Sequence, residues 1–155
     1  MNPYDPVAVQ AVWNRVHNTE PTTLELPLEE ALQSFIDDER VNSSTYIALA
    51  RKAGRHASAL RAMAVEESGH ARRLAALYYL LTGREYLTRA REMKMRRSFR
   101  EELRLRYNEK LRSGQSYRQA AERWQEQEPL FHSLARDEQR HAEIFHGIMQ
   151  NLLQR

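Results

Sequence analysis

Four stretches of this chain carry apolar residues at alternating steps of three and four, the spacing of one face of an α-helix. Leu28, Leu32, Phe35, Tyr46, Leu49 and Ala53 mark the first, and Leu60, Met63, Leu74, Leu77 and Leu81 the second. Phe99, Leu103, Tyr107, Tyr117, Ala121 and Trp124 mark the third, and Phe131, Leu134, Phe145, Ile148 and Leu152 the fourth. The 155 residues include only 5 Gly and 5 Pro, too few turn formers for the many hairpins of a sandwich or barrel. The expected fold is all-α.

Punctuation along the chain sets the connections. A turn around Gly54 to Ala57 separates the first two helices, Thr82-Gly83 closes the second, and Pro129 suits the first turn of the fourth. Residues 84 to about 97 are charged and weakly periodic, as a crossover would be. Two antiparallel hairpins joined by one long connection make a ferritin-like four-helix bundle, expected over residues 27–155. Residues 1–26 read as a separate leader: a short helix from Pro6 to about Val16 capped by Asp5, then an extended linker, TEPTTLELP.

Each apolar stripe is interrupted by polar residues at positions that the period assigns to the core. The second reads Met63, Glu67, His70, Leu74 and the fourth Leu134, Glu138, His141, Phe145. Sliding the chain by 71 places Glu67 on Glu138 and His70 on His141, together with Tyr46 on Tyr117 and Ala50 on Ala121, so the chain looks weakly duplicated. An unpaired buried carboxylate costs several kcal/mol. A divalent ion compensates that cost, because a Glu and a His at i, i+3 can both reach it from one helix face.

The first stripe selects Glu39, which lies as far from the turn at Ala53 as Glu67 does, roughly 21 Å of helix. The third departs from the pattern: both its stripe and the 71-residue offset select Lys110. The nearest carboxylate is Glu109, about 100° around the helix unless a bulge at Gly114 re-aims it. Three carboxylates and one ammonium balance one divalent ion, where four carboxylates would balance two. The expectation is therefore at most partial two-metal occupancy, with one ion near Glu39, Glu67 and His70. The competing reading is a buried ion-pair network of Glu67, His70, Glu138, His141 and Lys110 that only sets helix register.

The segments DDERVNSSTYIALA, AVEESGHARRLAALYYLLTG and LARDEQRHAEIF resemble the rubrerythrin-type branch of the ferritin-like superfamily, over residues 27 to 153. That resemblance implies Glu39, Glu67, His70, Glu138 and His141 as ligands, with Glu109 in the sixth place. It implies iron as the cofactor, as a pair or a single ion, and reduction of peroxide or oxygen. Imidazole and carboxylate also suit manganese or zinc. The family's usual four-Cys rubredoxin-like module is absent from these residues, so electrons would come from a partner protein. The alternatives are a non-catalytic ferritin-like structural or interaction protein, and an iron-storage protein.

Composition narrows the remainder. Zero Cys excludes thiolate metal sites, disulfides and a Cys nucleophile. A mean hydropathy of -0.77, the lack of a long apolar run and a start without signal-peptide character lead us to expect a cytoplasmic protein with no membrane association. From Arg84 to Arg112 eleven basic residues face five Glu within a chain of net charge +3. The interleaved Glu residues favour a solvated crossover face over nucleic-acid binding. Glu66 and Asp137 precede the two His residues by one turn and are expected either to face solvent or to accept from the ring N–H of a His on a neighbouring helix. Tyr- and Arg-rich outer faces suggest a homo-oligomer.

Overall fold

A computed structural model describes residues 25–89, 95 and 97–154. The leader helix expected at 6–16 lies outside the described residues. Helix α1 runs Leu28–Ala50, α2 Ala57–Thr82, α3 Phe99–Arg123 and α4 Glu128–Leu153. Single 3-10 turns, Gly54–His56 and Gln125–Gln127, join α1 to α2 and α3 to α4. Each pair packs as an antiparallel hairpin, and no strand occurs among the described residues.

The ends form where local chemistry satisfies orphan backbone groups. Gly83 adopts φ 68 and closes α2 with its N–H on the Tyr79 carbonyl, a conformation that strains any residue with a Cβ. Ser98 opens α3 in a capping box: its hydroxyl accepts from the Glu101 N–H while the Glu101 carboxylate accepts from the Ser98 N–H. Pro129 sits in the first turn of α4 as expected. Between the hairpins the chain returns along α1, held by Asp37, which accepts from Tyr86 Oη at 2.8 Å and from the Arg89 N–H at 3.1 Å.

The core has two apolar clusters with a polar layer between them. One contains Leu32, Phe35, Leu74, Tyr78, Tyr117, Phe131 and Leu134; the other contains Tyr46, Leu49, Leu60, Met63, Leu103, Phe145 and Ile148. On each helix charged core residues fall between the buried residues that feed the two clusters, with Glu102, just before Leu103, the exception. Glu39, Glu67, His70, Arg106, Lys110, Glu138 and His141 are all buried there. Two expectations need correction. Leu81 ends the second stripe at 45 % exposure, because a ladder of alternating threes and fours averages about 3.5 residues against the helix's 3.6 and drifts off the core face. Gly114 makes no bulge: α3 is regular through it and faces α4, where a Cβ would meet the Glu138 Cβ at 3.5 Å, an ordinary van der Waals contact.

Candidate metal centre

Two helices supply the histidines, and each ring is oriented from the opposite hairpin. His70 Nε2 on α2 lies 3.0 Å from Asp137 Oδ2 on α4, and His141 Nε2 on α4 lies 2.8 Å from Glu66 Oε2 on α2. Burial alone would raise the pKa values of Asp137 and Glu66, but bonds to Arg140 and to the histidines hold both below the usual carboxylate range. Arg140 bridges the two, contacting Asp137 Oδ1 at 3.0 Å and also Glu66. An ionised carboxylate can only accept, so each Nε2 carries the proton. A neutral ring then presents the Nδ1 lone pair to the interior. Of the two roles expected of Glu66 and Asp137, this is the acceptor role.

Inside, α1, α2 and α4 bring five of the six expected residues together. Ligand atoms of Glu39, Glu67, His70 and Glu138 lie within 4.8 Å of one another. His141 adjoins them, its Nδ1 2.6 Å from Glu67 Oε1, while His70 Nδ1 is 3.4 Å from Glu39 Oε2. Neither contact is aligned as a hydrogen bond, and all four of those atoms are buried without a hydrogen-bond partner. Lone pairs facing one another at this distance repel unless a cation or proton lies among them. Nitrogen and oxygen donors so arranged fit a first-row divalent metal.

The sixth expected residue is elsewhere. Glu109 points about one-third of its side chain to solvent and pairs with Arg106 Nη1 at 2.7 Å. A regular helix keeps it off the core face that Lys110 occupies. Lys110 is fully buried, and its Nζ donates to Glu67 Oε2 at 2.6 Å and to the two Glu138 oxygens at 2.9 Å each. Desolvation works against its charge, but Tyr46 and the Glu67, Glu138 and Glu39 carboxylates around it hold its pKa well above the ordinary value. The same ammonium outweighs burial at Glu67, which stays well below the usual range. At Glu39, burial and the neighbouring Glu67 prevail over Lys110, and the pKa rises well above the usual range. Without another cation, a proton is therefore favoured at Glu39, where a metal ion could replace it.

Two tyrosines complete the layer. Tyr117 Oη on α3 donates to Glu39 Oε1 on α1 at 2.5 Å, while Tyr46, its counterpart in the first hairpin, has a buried hydroxyl with no hydrogen-bond partner, beside Lys110. Sequence reasoning put both tyrosines on the core stripes but did not name Glu39 as a partner. It also missed a buried ion pair in the basic segment: Arg106 and Glu102 are almost fully enclosed, with Arg106 Nη2 3.6 Å from Glu102 Oε2. The signal was present, since Leu103, Arg106, Lys110, Gly114 and Tyr117 follow the three-four ladder as well as the stripe through Tyr107 does. The described part of that segment is thus not wholly a solvated face.

Solvent approaches the layer through a cavity of about 360 Å³ between α1 and α3, whose walls include Asp38, Asn42, Arg106 and Glu109 and which reaches Glu39 and Tyr117. The fold and this layer define a ferritin-like metal-carboxylate bundle: paired hairpins, a Glu-x-x-His on each second helix and a carboxylate from α1. The rubrerythrin family model matches residues 30–149, and the chain belongs to that family. No curated protein and no solved structure matches it significantly.

Proposed function

We propose that this protein is an iron-binding oxidoreductase that reduces peroxide or oxygen with electrons from a partner protein. One observation carries the metal-binding part: four buried donor atoms, Glu39 Oε2, Glu67 Oε1, His70 Nδ1 and His141 Nδ1, face one another without hydrogen bonds. Bound iron would supply a reversible change of oxidation state, and manganese offers the same chemistry on these ligands. Asp137 and Glu66 fix the proton on each Nε2, so Nδ1 is ready to ligate without rearrangement. Tyr117 neutralises one lone pair of Glu39 and leaves the other for the ion. The α1–α3 cavity brings a small oxidant to Glu39, and its wall residues Arg106 and Asp38 offer it hydrogen bonds.

We further place the protein in the cytoplasm; no described helix is long and apolar enough to cross a membrane. Leu80 and Leu87, each about four-fifths exposed near the α2 end, are suited to contact with a second copy. The test is peroxide consumption by iron-loaded protein with a chemical reductant, compared with Glu39→Gln. Turnover lost in the variant supports the proposal, and equal turnover refutes it. The second reading, a non-catalytic structural bundle, is favoured by the three short contacts of Lys110; it predicts protein that takes up no transition metal at all.

A further inference from the structure

We infer that this chain holds one metal ion rather than two, and that the Lys110 ammonium stands permanently where a second ion would lie. The inference rests on the metal-binding reading above and goes beyond it in assigning stoichiometry and place. The two hairpins are related by the 71-residue shift, which superposes Glu39 on Lys110, Glu67 on Glu138 and His70 on His141. A symmetric site would hold an ion in each half. Here the donor atoms fall into two sets according to what already satisfies them.

Lys110 Nζ takes Glu67 Oε2 and both oxygens of Glu138 at 2.6 to 2.9 Å, the distances of charge-assisted hydrogen bonds. Tyr117 takes Glu39 Oε1. What remains on the α1 side is Glu39 Oε2, Glu67 Oε1 and His70 Nδ1, unpartnered and buried. These three residues form the compact donor group together with Glu138, whose oxygens Lys110 already holds; His141 is outside that group and adjoins Glu67 instead. The ion therefore belongs beside Glu39 and His70.

Charge leads to the same conclusion. Glu39, Glu67 and Glu138 carry three negative charges when ionised, and Lys110 returns one. A divalent ion then makes the buried layer neutral, whereas a second would leave two uncompensated positive charges in a water-excluded core. Displacing the ammonium would forfeit three charge-assisted hydrogen bonds in a layer closed to solvent, since Lys110, Glu67 and Glu138 are all fully buried. Unlike a metal, this cation cannot be chelated or oxidised.

The experiment loads wild-type protein and Lys110→Glu with excess Mn(II), removes free metal, and measures bound manganese by elemental analysis and its spin state by electron paramagnetic resonance. Wild type is expected to keep one ion per chain with the signal of an isolated Mn(II). The Lys110→Glu variant should keep two, with the altered signal of a coupled pair. Glu39→Gln, which preserves size and removes a charge the fold disfavours, should keep none.

Two ions per wild-type chain, with or without bicarbonate to carbamylate the lysine, overturn the inference while leaving metal binding intact. No ion in wild type overturns metal binding itself, whether or not Lys110→Glu binds. The wild-type count decides the matter even if Lys110→Glu does not fold.

Discussion

The α1–α2 hairpin and the α3–α4 hairpin are near copies in architecture, and they differ most at one position of the polar layer. Glu39 is a buried carboxylate whose charge the surroundings oppose; Lys110 is a buried ammonium whose charge they reinforce. The tyrosines follow suit. Tyr117 has a carboxylate to donate to, and Tyr46, facing the ammonium side, has no partner. One substitution of sign therefore divides a two-fold layer into a half with idle donors beside Glu39 and a half in which Lys110 already holds the Glu138 carboxylate, with His141 Nδ1 and the Tyr46 hydroxyl left unpartnered.

The largest effect should come from opposing changes at the two equivalent positions. Lys110→Met in metal-free protein leaves Glu67 and Glu138 buried without their cation and should cost about 3–5 kcal/mol in urea unfolding. Added Mn(II) should restore part of that loss. Glu39→Gln under the same conditions should be neutral or stabilising. Its pKa is raised in the fold, so the stability it provides is present at low pH and lost as pH rises. Equal losses in the two variants would show that the hairpins are not electrostatically distinct.

The tyrosines sharpen the contrast on a smaller scale. Tyr117→Phe strands a Glu39 oxygen and should cost about 1–3 kcal/mol in thermal or urea unfolding, whereas Tyr46→Phe removes an unpartnered hydroxyl and should cost under about 1 kcal/mol. Smaller again is the difference between the outer carboxylates. Asp137→Asn frees His70, on the side assigned to the ion, and should weaken Mn(II) binding about 10–100-fold by titration. Glu66→Gln frees His141 and should weaken it less; the reverse order would place the ion in the other half.

The smallest effect concerns Asp38, on the cavity wall. Burial, followed by repulsion from Asp37 and Glu109, raises its pKa from 3.8 to about 6. A raised carboxylate gives stability that is complete below its unfolded value and disappears as pH climbs through 6. Asp38→Asn should thus match wild type near pH 4 and exceed it by less than about 1 kcal/mol at pH 7, since the side chain lines an open cavity where water screens part of the effect. A melting-temperature difference that does not vary with pH would contradict this.

The bundle was legible in the sequence because four amphipathic stripes admit few other packings, and the end signals at Gly83 and Pro129 act locally. Glu39, Glu67, His70, Glu138 and His141 stood out for the same reason, as polar residues at core positions of a strict period. Lys110 was visible as an exception. Its pairing with Glu67 and Glu138 was legible too, as the competing ion-pair reading; that donors of Glu39 and His70 stay unpartnered beside it was not, because that depends on the distance between hairpins. Arg106 escaped notice because one helix turn offers both position 106 and position 107 to a three-four ladder. Only packing against Glu102 and Glu109 decides between them. Glu109 could be set aside only once α3 was seen to be regular through Gly114.

The most direct test of the two-halves account is anomalous diffraction from crystals grown with Mn(II). It predicts a single anomalous peak per chain in contact with Glu39, Glu67 and His70, with Lys110 still paired to Glu138. Two peaks, or one peak beside Glu138 and His141 with Lys110 swung aside, would contradict it.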